Sequence, residues 1–88
     1  MNIYPTIVIL EDDIFFGKLL KNFLVNQEFK NVHLFHEEEE CIKAITNEPT
    51  ILVIDHHLMH STGFETIKRI KEINPSVQFI YLSGQTTS

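Results

Sequence analysis

Two short apolar runs, each ending in a carboxylate, constrain the fold of this chain more than any other feature. The first is Thr6-Ile-Val-Ile-Leu-Glu-Asp-Asp13, and the second is Ile51-Leu-Val-Ile-Asp55. Apolar runs of this length, separated by helical patterns, are typical of strands in a parallel sheet that is buried on both faces. The carboxyl ends of such strands face a common crevice, where ligands bind. We therefore expect Asp12, Asp13 and Asp55 to form an acidic cluster at that crevice.

The composition indicates one small globular domain spanning residues 1–88. A formal net charge of −5 argues against a nucleic-acid binder, which normally has a basic face. No run approaches the ~20 apolar residues that are needed to cross a bilayer, and no secretory signal is visible. Cys41 is the only cysteine, so it cannot form an internal disulfide. We expect a cytoplasmic protein with no direct contact with nucleic acid or membrane.

The remaining pattern predicts three helices and two further strands. Helical spacing follows the first run, with Asp12 or Asp13 as N-cap, and four glutamates open a second, short helix. We expect these glutamates to form a solvated cap that complements the helix dipole. The predicted elements are helix Phe16–Leu24, strand Asn31–Phe35, helix Glu37–Ile45, helix Gly63–Ile73 and strand Val77–Leu82. Right-handed crossovers turn this order into an open parallel sheet with helices on both faces.

Carboxylates that lie a few ångströms apart repel one another unless a cation is present. Mg²⁺ suits such a cluster because it prefers oxygen ligands and is often held by one or two carboxylates, waters and a phosphate. Two simpler interpretations stay open. In the first, Asp12 and Asp13 act as helix caps and bind no metal ion. In the second, Ser83 ends its strand in a turn with Gly84 and does not donate to a phosphoryl oxygen.

As a set, these motifs resemble the receiver domains of bacterial two-component response regulators, from Ile3 to about Thr86. The segments that carry the resemblance are Glu11-Asp12-Asp13, Asp55, Gly63-Phe64-Glu65 and Tyr81-Leu82-Ser83-Gly84. The resemblance implies an α/β, flavodoxin-like (βα)n three-layer sandwich with a parallel sheet of strand order 2-1-3-4. It also implies a single domain over residues 1–88, truncated after the fourth strand and lacking the final strand and helices.

The same resemblance implies a phosphoacceptor signalling domain that acts in a phosphorelay. Asp55 would accept a phosphoryl group from a sensor histidine kinase or a phosphotransfer protein. Asp12, Asp13, Asp55 and the backbone carbonyl of His57 would hold Mg²⁺. Ser83 would be the switch hydroxyl, while His57 and Gln85 would tune the lifetime of the phosphoryl group. No enzymatic activity is expected beyond this self-catalysed transfer.

The chain departs from the family pattern at two places. Met59 stands where the family usually has a proline, among His56, His57 and His60, so a transition-metal site is an alternative to a solvated loop. By comparison with the family, we also expect the chain to lack the region that supplies the phosphate-contacting lysine and the aromatic switch. A non-phosphorylated pseudo-receiver that serves as a protein–protein interaction module is therefore the alternative function. An open fourth-strand edge also favours a homo-oligomer.

Overall fold

The computed structural model describes residues 5–55 and 63–82, and only the backbone of residues 55, 63, 64 and 82. Strands and helices alternate along this part of the chain, as the pattern predicts. The elements are β1 (Thr6–Leu10), α1 (Ile14–Asn26), β2 (Val32–Phe35), α2 (Glu38–Ala44), β3 (Thr50–Asp55), α3 (Gly63–Ile73) and β4 (Gln78–Leu82). None of the helices described here is long and apolar enough to cross a membrane.

The four strands form one parallel sheet in the order β2-β1-β3-β4, which confirms the predicted topology. Leu10, the last residue of β1, lies opposite Phe35 of β2 and Ile54 of β3. One residue further, Asp55 lies opposite Leu82 of β4. All four strands therefore end at the same edge of the sheet. The acidic turn, residues Glu11 to Asp13, follows β1 at this edge.

Alternation along the strands sends side chains to two separate apolar cores. Leu10, Leu52 and Ile54 lie on the α2/α3 side, where Cys41 and Ile70 are fully buried. Burial raises the pKa of the Cys41 thiol to about 12, so this group is a neutral, apolar core member at physiological pH. The core on the α1 side contains Ile7, Ile9, Val32 and Val53, with Leu20 and Leu24 of α1 packed against it.

Much of the apolar stripe of α1 is exposed, where the stripe is the set of residues at helical spacing, namely Phe16, Leu19, Leu20, Phe23 and Leu24. Phe16, Leu19 and Phe23 are 44%, 50% and 57% exposed, whereas Leu20 and Leu24 pack on the sheet. The stripe is wider than the contact that one helix makes with β1 and β2. Ile80 on β4 is also half-exposed, so an apolar surface runs along the α1 side of the molecule.

The glutamate run does more than solvate α2, which corrects the expectation above. Glu38 Oε2 accepts a hydrogen bond from the Thr66 hydroxyl at 2.8 Å, and Arg69 Nη1 lies 2.9 Å from Glu39 Oε2. The Arg69 guanidinium holds the pKa of the Glu39 carboxyl below its usual value. These contacts form because α2 and α3 lie side by side on one face of the sheet, which the local pattern does not reveal.

Candidate functional site

The turn after β1 is held in place by hydrogen bonds from the end of β2. The Glu11 backbone N–H donates to the Phe35 carbonyl at 3.0 Å, which extends the β1–β2 ladder by one step. His36 Nδ1 lies 2.9 Å from the Glu11 carbonyl oxygen. Because a carbonyl oxygen only accepts, this contact requires a proton on Nδ1. Both backbone groups of Glu11 are therefore bound by the neighbouring strand and the residue that follows it.

The Glu11 side chain turns inward and is only 2% exposed. Its Oε2 accepts the backbone N–H of Asp13 at 3.0 Å. A buried hydrogen bond of this kind is costly to lose, because it would leave polar groups without a partner in the interior. Glu11 therefore fixes the backbone that carries the two following aspartates.

Asp13 is the N-cap of α1, and its Oδ1 accepts the Phe16 N–H at 3.0 Å. The capping interpretation therefore holds for Asp13 and not for Asp12. Capping engages one of the two Asp13 carboxylate oxygens, so it does not exclude a second role for this side chain. Both aspartates are exposed to solvent at the sheet edge.

Asp55 ends β3 at the same edge. Its strand is paired with β1 up to Leu10 and Ile54, so the backbone of Asp55 and the start of the acidic turn leave the sheet at equivalent positions. The Asp55 side chain lies outside the described part of the structure, as do Ser83, His57 and Gln85. Their roles stay predictions. The alternative transition-metal site with His56, His57 and His60 also lies outside it.

The chemistry of the described donors fits a hard cation. Asp12 and the second oxygen of Asp13 supply carboxylate oxygens, which Mg²⁺ prefers. In residues 5–55 and 63–82, no three side chains of the histidine, cysteine, aspartate or glutamate type are grouped to hold a metal ion. The predicted set depends on Asp55 and His57 for its remaining ligands.

The sequence patterns did not single out Gly17 or His36, and they gave Glu11 no role beyond its place in the acidic motif. A Cβ on Gly17 would lie 3.0 Å from Leu34 Cδ1 and 3.5 Å from Glu11 Cγ. The absence of a side chain there lets the first turn of α1 approach β2 closely. Glu11 was visible as the first acid after an apolar run, whereas nothing in the sequence connected it with His36.

Comparisons with known proteins agree with this geometry. A family model described as "Response regulator receiver domain" matches residues 7–88. The transcriptional regulatory protein CssR of Bacillus subtilis (strain 168) is 31% identical over 80 residues, which cover 91% of this chain and 35% of CssR. The uncharacterized transcriptional regulatory protein YesN of the same organism is 41% identical over 49 residues, covering 56% of this chain and 13% of YesN. The chain thus spans about a third or less of each of these relatives.

Two solved structures share the fold. A response regulator from Colwellia psychrerythraea superimposes with a TM-score of 0.73 at 25% identity, over 93% of this chain and 65% of that one. A chain from Rhodopirellula baltica, described as an adenylate cyclase, gives a TM-score of 0.81 at 22% identity, over 92% and 60% of the two chains. The second likeness shows the fold alone, and both support the flavodoxin-like architecture.

Proposed function

This chain belongs to the response regulator receiver domain family of two-component systems, and on that premise we propose that Asp55 accepts a phosphoryl group from a sensor histidine kinase or a phosphotransfer protein. One observation carries the proposal. Asp55 ends β3 at the sheet edge where the hydrogen-bonded acidic turn of Asp12 and Asp13 leaves β1. Carboxylates on adjacent strand ends suit phosphoryl transfer, which needs positioning and charge neutralisation.

In the proposed reaction, a carboxylate oxygen of Asp55 forms a P–O bond while the P–N bond of the donor phosphohistidine breaks. The electron pair of that bond stays on the imidazole nitrogen, which takes up a proton. The protein lowers the barrier by holding the acceptor and its neighbours in place. We do not assign it the role of an enzyme acting on a separate substrate, since the acceptor is its own side chain.

Asp12, Asp13, Asp55 and the His57 backbone carbonyl are the proposed Mg²⁺ ligands. Mg²⁺, when bound, would offset negative charge on the transferred phosphoryl oxygens. The hydrogen bonds of Glu11 with His36 and Asp13 preorganise the acidic turn in the absence of a cation. Ser83 is the proposed switch hydroxyl, which would donate to a phosphoryl oxygen of the product.

Intact-mass measurement after incubation with Mg²⁺ and acetyl phosphate tests this proposal. We expect one added phosphoryl group on the wild-type chain and none on Asp55→Asn. Glu40→Gln is the matched control, because it removes one charge from an exposed carboxylate on α2 and should still be phosphorylated. A wild-type protein without adduct after fast quenching would contradict the proposal and favour the pseudo-receiver that serves as an interaction module.

We also propose a cytoplasmic location, no direct contact with nucleic acid or membrane, and self-association through the outer strand. A cytoplasmic location suits a partner of a phosphohistidine donor, and the one cysteine is a buried core residue. Self-association is supported by β4, which pairs only with β3 in the described sheet and carries half-exposed Ile80. Both relatives are named as transcriptional regulatory proteins, and we include an output of that kind in the proposal for this chain.

A further inference from the structure

We propose that His36 is a positioning residue for the acidic turn, and that its Nδ1–H bond to the Glu11 carbonyl sets the affinity of Asp12 and Asp13 for Mg²⁺. The inference rests on the proposed function, because it concerns the same acidic turn. It assigns a role to a residue that lies outside the aspartate cluster. His36 contributes no ligand here and acts through the Glu11 backbone.

His36 directly follows the end of β2, which places its imidazole next to the Glu11 carbonyl. β2 ends at Phe35, opposite Leu10, and Glu11 has already left the strand pairs. A backbone carbonyl at such a strand end needs a donor, because an unpaired buried polar group is costly. The His36 imidazole supplies that donor from a residue 25 positions away in sequence. It therefore extends the hold of β2 on β1 beyond the last paired residues.

A continuous relay of hydrogen bonds leads from His36 to the first turn of α1. His36 binds the Glu11 carbonyl, the Glu11 carboxylate binds the Asp13 N–H, and the Asp13 carboxylate binds the Phe16 N–H. Each bond restricts the residue from which the next one starts. Loss of the first bond should therefore free the backbone of the two aspartates, even though their side chains are unchanged.

The orientation of the acidic turn depends on the His36 hydrogen bond, because packing alone does not fix it. Glu11 is 2% exposed, and its Cγ lies close beneath the Gly17 position of α1. The aspartates themselves are exposed, so packing does not fix their direction. Partners that orient metal ligands without touching the metal typically change the affinity for that metal about 10- to 100-fold when they are removed.

Two substitutions at His36 separate the hydrogen bond from the shape of the ring. His36→Phe keeps a planar ring and removes the donor, whereas His36→Asn restores an N–H donor at a similar distance from the backbone. His33→Phe on the same strand is the matched control, because His33 is exposed and lies away from the acidic turn. All variants are made in the full 88-residue chain.

The first measurement is amide hydrogen exchange by NMR in metal-free buffer. We expect the Asp13 and Phe16 amides to exchange faster in His36→Phe and at the wild-type rate in His36→Asn and His33→Phe. The amides of Val8 and Ile9 should stay protected in every variant, which reports an intact sheet. Unchanged exchange at Asp13 and Phe16 in His36→Phe, or loss of sheet protection, would overturn the positioning role.

The second measurement is Mg²⁺ affinity, followed by the shift of the Asp13 amide during titration with Mg²⁺ alone. His36→Phe should bind about tenfold more weakly, and His36→Asn should recover most of that loss. Equal affinity in His36→Phe and wild type would overturn the inference. A wild-type chain that binds no Mg²⁺ would contradict the proposed function and the affinity claim together, whereas binding without phosphorylation would contradict the proposed function alone.

Discussion

Asp12 and Asp13 have the same charge and adjacent positions, yet they differ in what they do for the fold. Asp13 caps α1 through its bond with the Phe16 N–H, and its own N–H is held by Glu11. The Asp12 carboxylate is exposed and does not cap the helix. Asp13 therefore serves stability and the proposed cation site together, while Asp12 serves the proposed site alone.

This difference predicts that three substitutions at these positions will affect stability and Mg²⁺ binding differently. In urea unfolding without Mg²⁺, Asp13→Ala should lower the free energy of unfolding by about 1 kcal/mol because a helix cap is lost. Asp12→Ala should change the free energy of unfolding by less than about 0.5 kcal/mol. Asp13→Ser keeps a capping oxygen and should retain most of the stability while weakening Mg²⁺ binding. Equal stabilities for Asp12→Ala and Asp13→Ala would show that the cap contributes nothing.

At this scale the sequence predicted the residue types better than their contacts. The capping pattern pointed to Asp12 or Asp13, and the helix geometry selects Asp13. The Glu11 and His36 contact could not be predicted in the same way. It depends on the register between β1 and β2, and a shift of a single residue would separate these groups.

Two adjacent helices on one sheet face, α2 and α3, are joined by polar side chains. Thr66 is 1% exposed and its hydroxyl donates to Glu38, whereas the ion pair of Arg69 with Glu39 is open to solvent. Exposed ion pairs contribute little because water and salt screen them. We therefore infer that the buried hydroxyl holds the start of α3 against α2 more firmly than the ion pair does.

The prediction at the element scale compares these two contacts. Thr66→Val keeps the shape and removes the donor to a charged acceptor, so the free energy of unfolding should fall by about 1–2 kcal/mol. Arg69→Met should lower the free energy of unfolding by less than Thr66→Val does. Because the Glu39 pKa is lowered in the folded protein, the contribution of the ion pair is present above the ordinary carboxyl pKa of 4.5 and is lost as the pH falls below it. Urea unfolding at pH 7 and below pH 4.5 measures both effects, and a larger loss for Arg69→Met would contradict the inference.

The positions of the strands and helices could be predicted from the periodicity of apolar residues. The surfaces that these elements bury could not. The strands begin and end within one residue of their predicted limits, because β-branched runs bounded by turn residues are a strong signal. Helical spacing in α1 is set by Phe16, Leu19, Leu20, Phe23 and Leu24. Leu20 and Leu24 pack on the sheet while the other three are exposed, because burial depends on which neighbours are present and not on spacing within the helix.

For the whole molecule, the sheet order was predictable because few topologies satisfy right-handed crossovers and short connections. The order β2-β1-β3-β4 places β1 and β3 in the centre, which explains why these two strands are almost wholly apolar. Association with another chain is not encoded in such rules. It depends on exposed apolar surface and on the outer strands of the sheet.

The last prediction concerns self-association through β4. This strand contains no charged residue, so antiparallel pairing with the β4 of a second copy would place no like charges opposite each other. Ile80 lies opposite Val53 and therefore on the α1 side of the sheet, where it is 52% exposed. The same side carries the exposed stripe of α1, so pairing would extend the sheet and shelter apolar surface together.

We expect light scattering after size-exclusion chromatography to show a dimer whose fraction rises with the concentration of the 88-residue chain. Ile80→Lys should shift the population toward monomer, since a lysine on an outer strand opposes strand pairing. Val25→Lys is the matched control, because Val25 is 48% exposed but lies beside Phe29 and Lys30, near the opposite edge of the sheet. A monomer at all concentrations, or equal dissociation in both variants, would mean that β4 is not the interface. Retention of the wild-type circular dichroism spectrum in both variants would show that charge on β4, and not unfolding, separates the subunits.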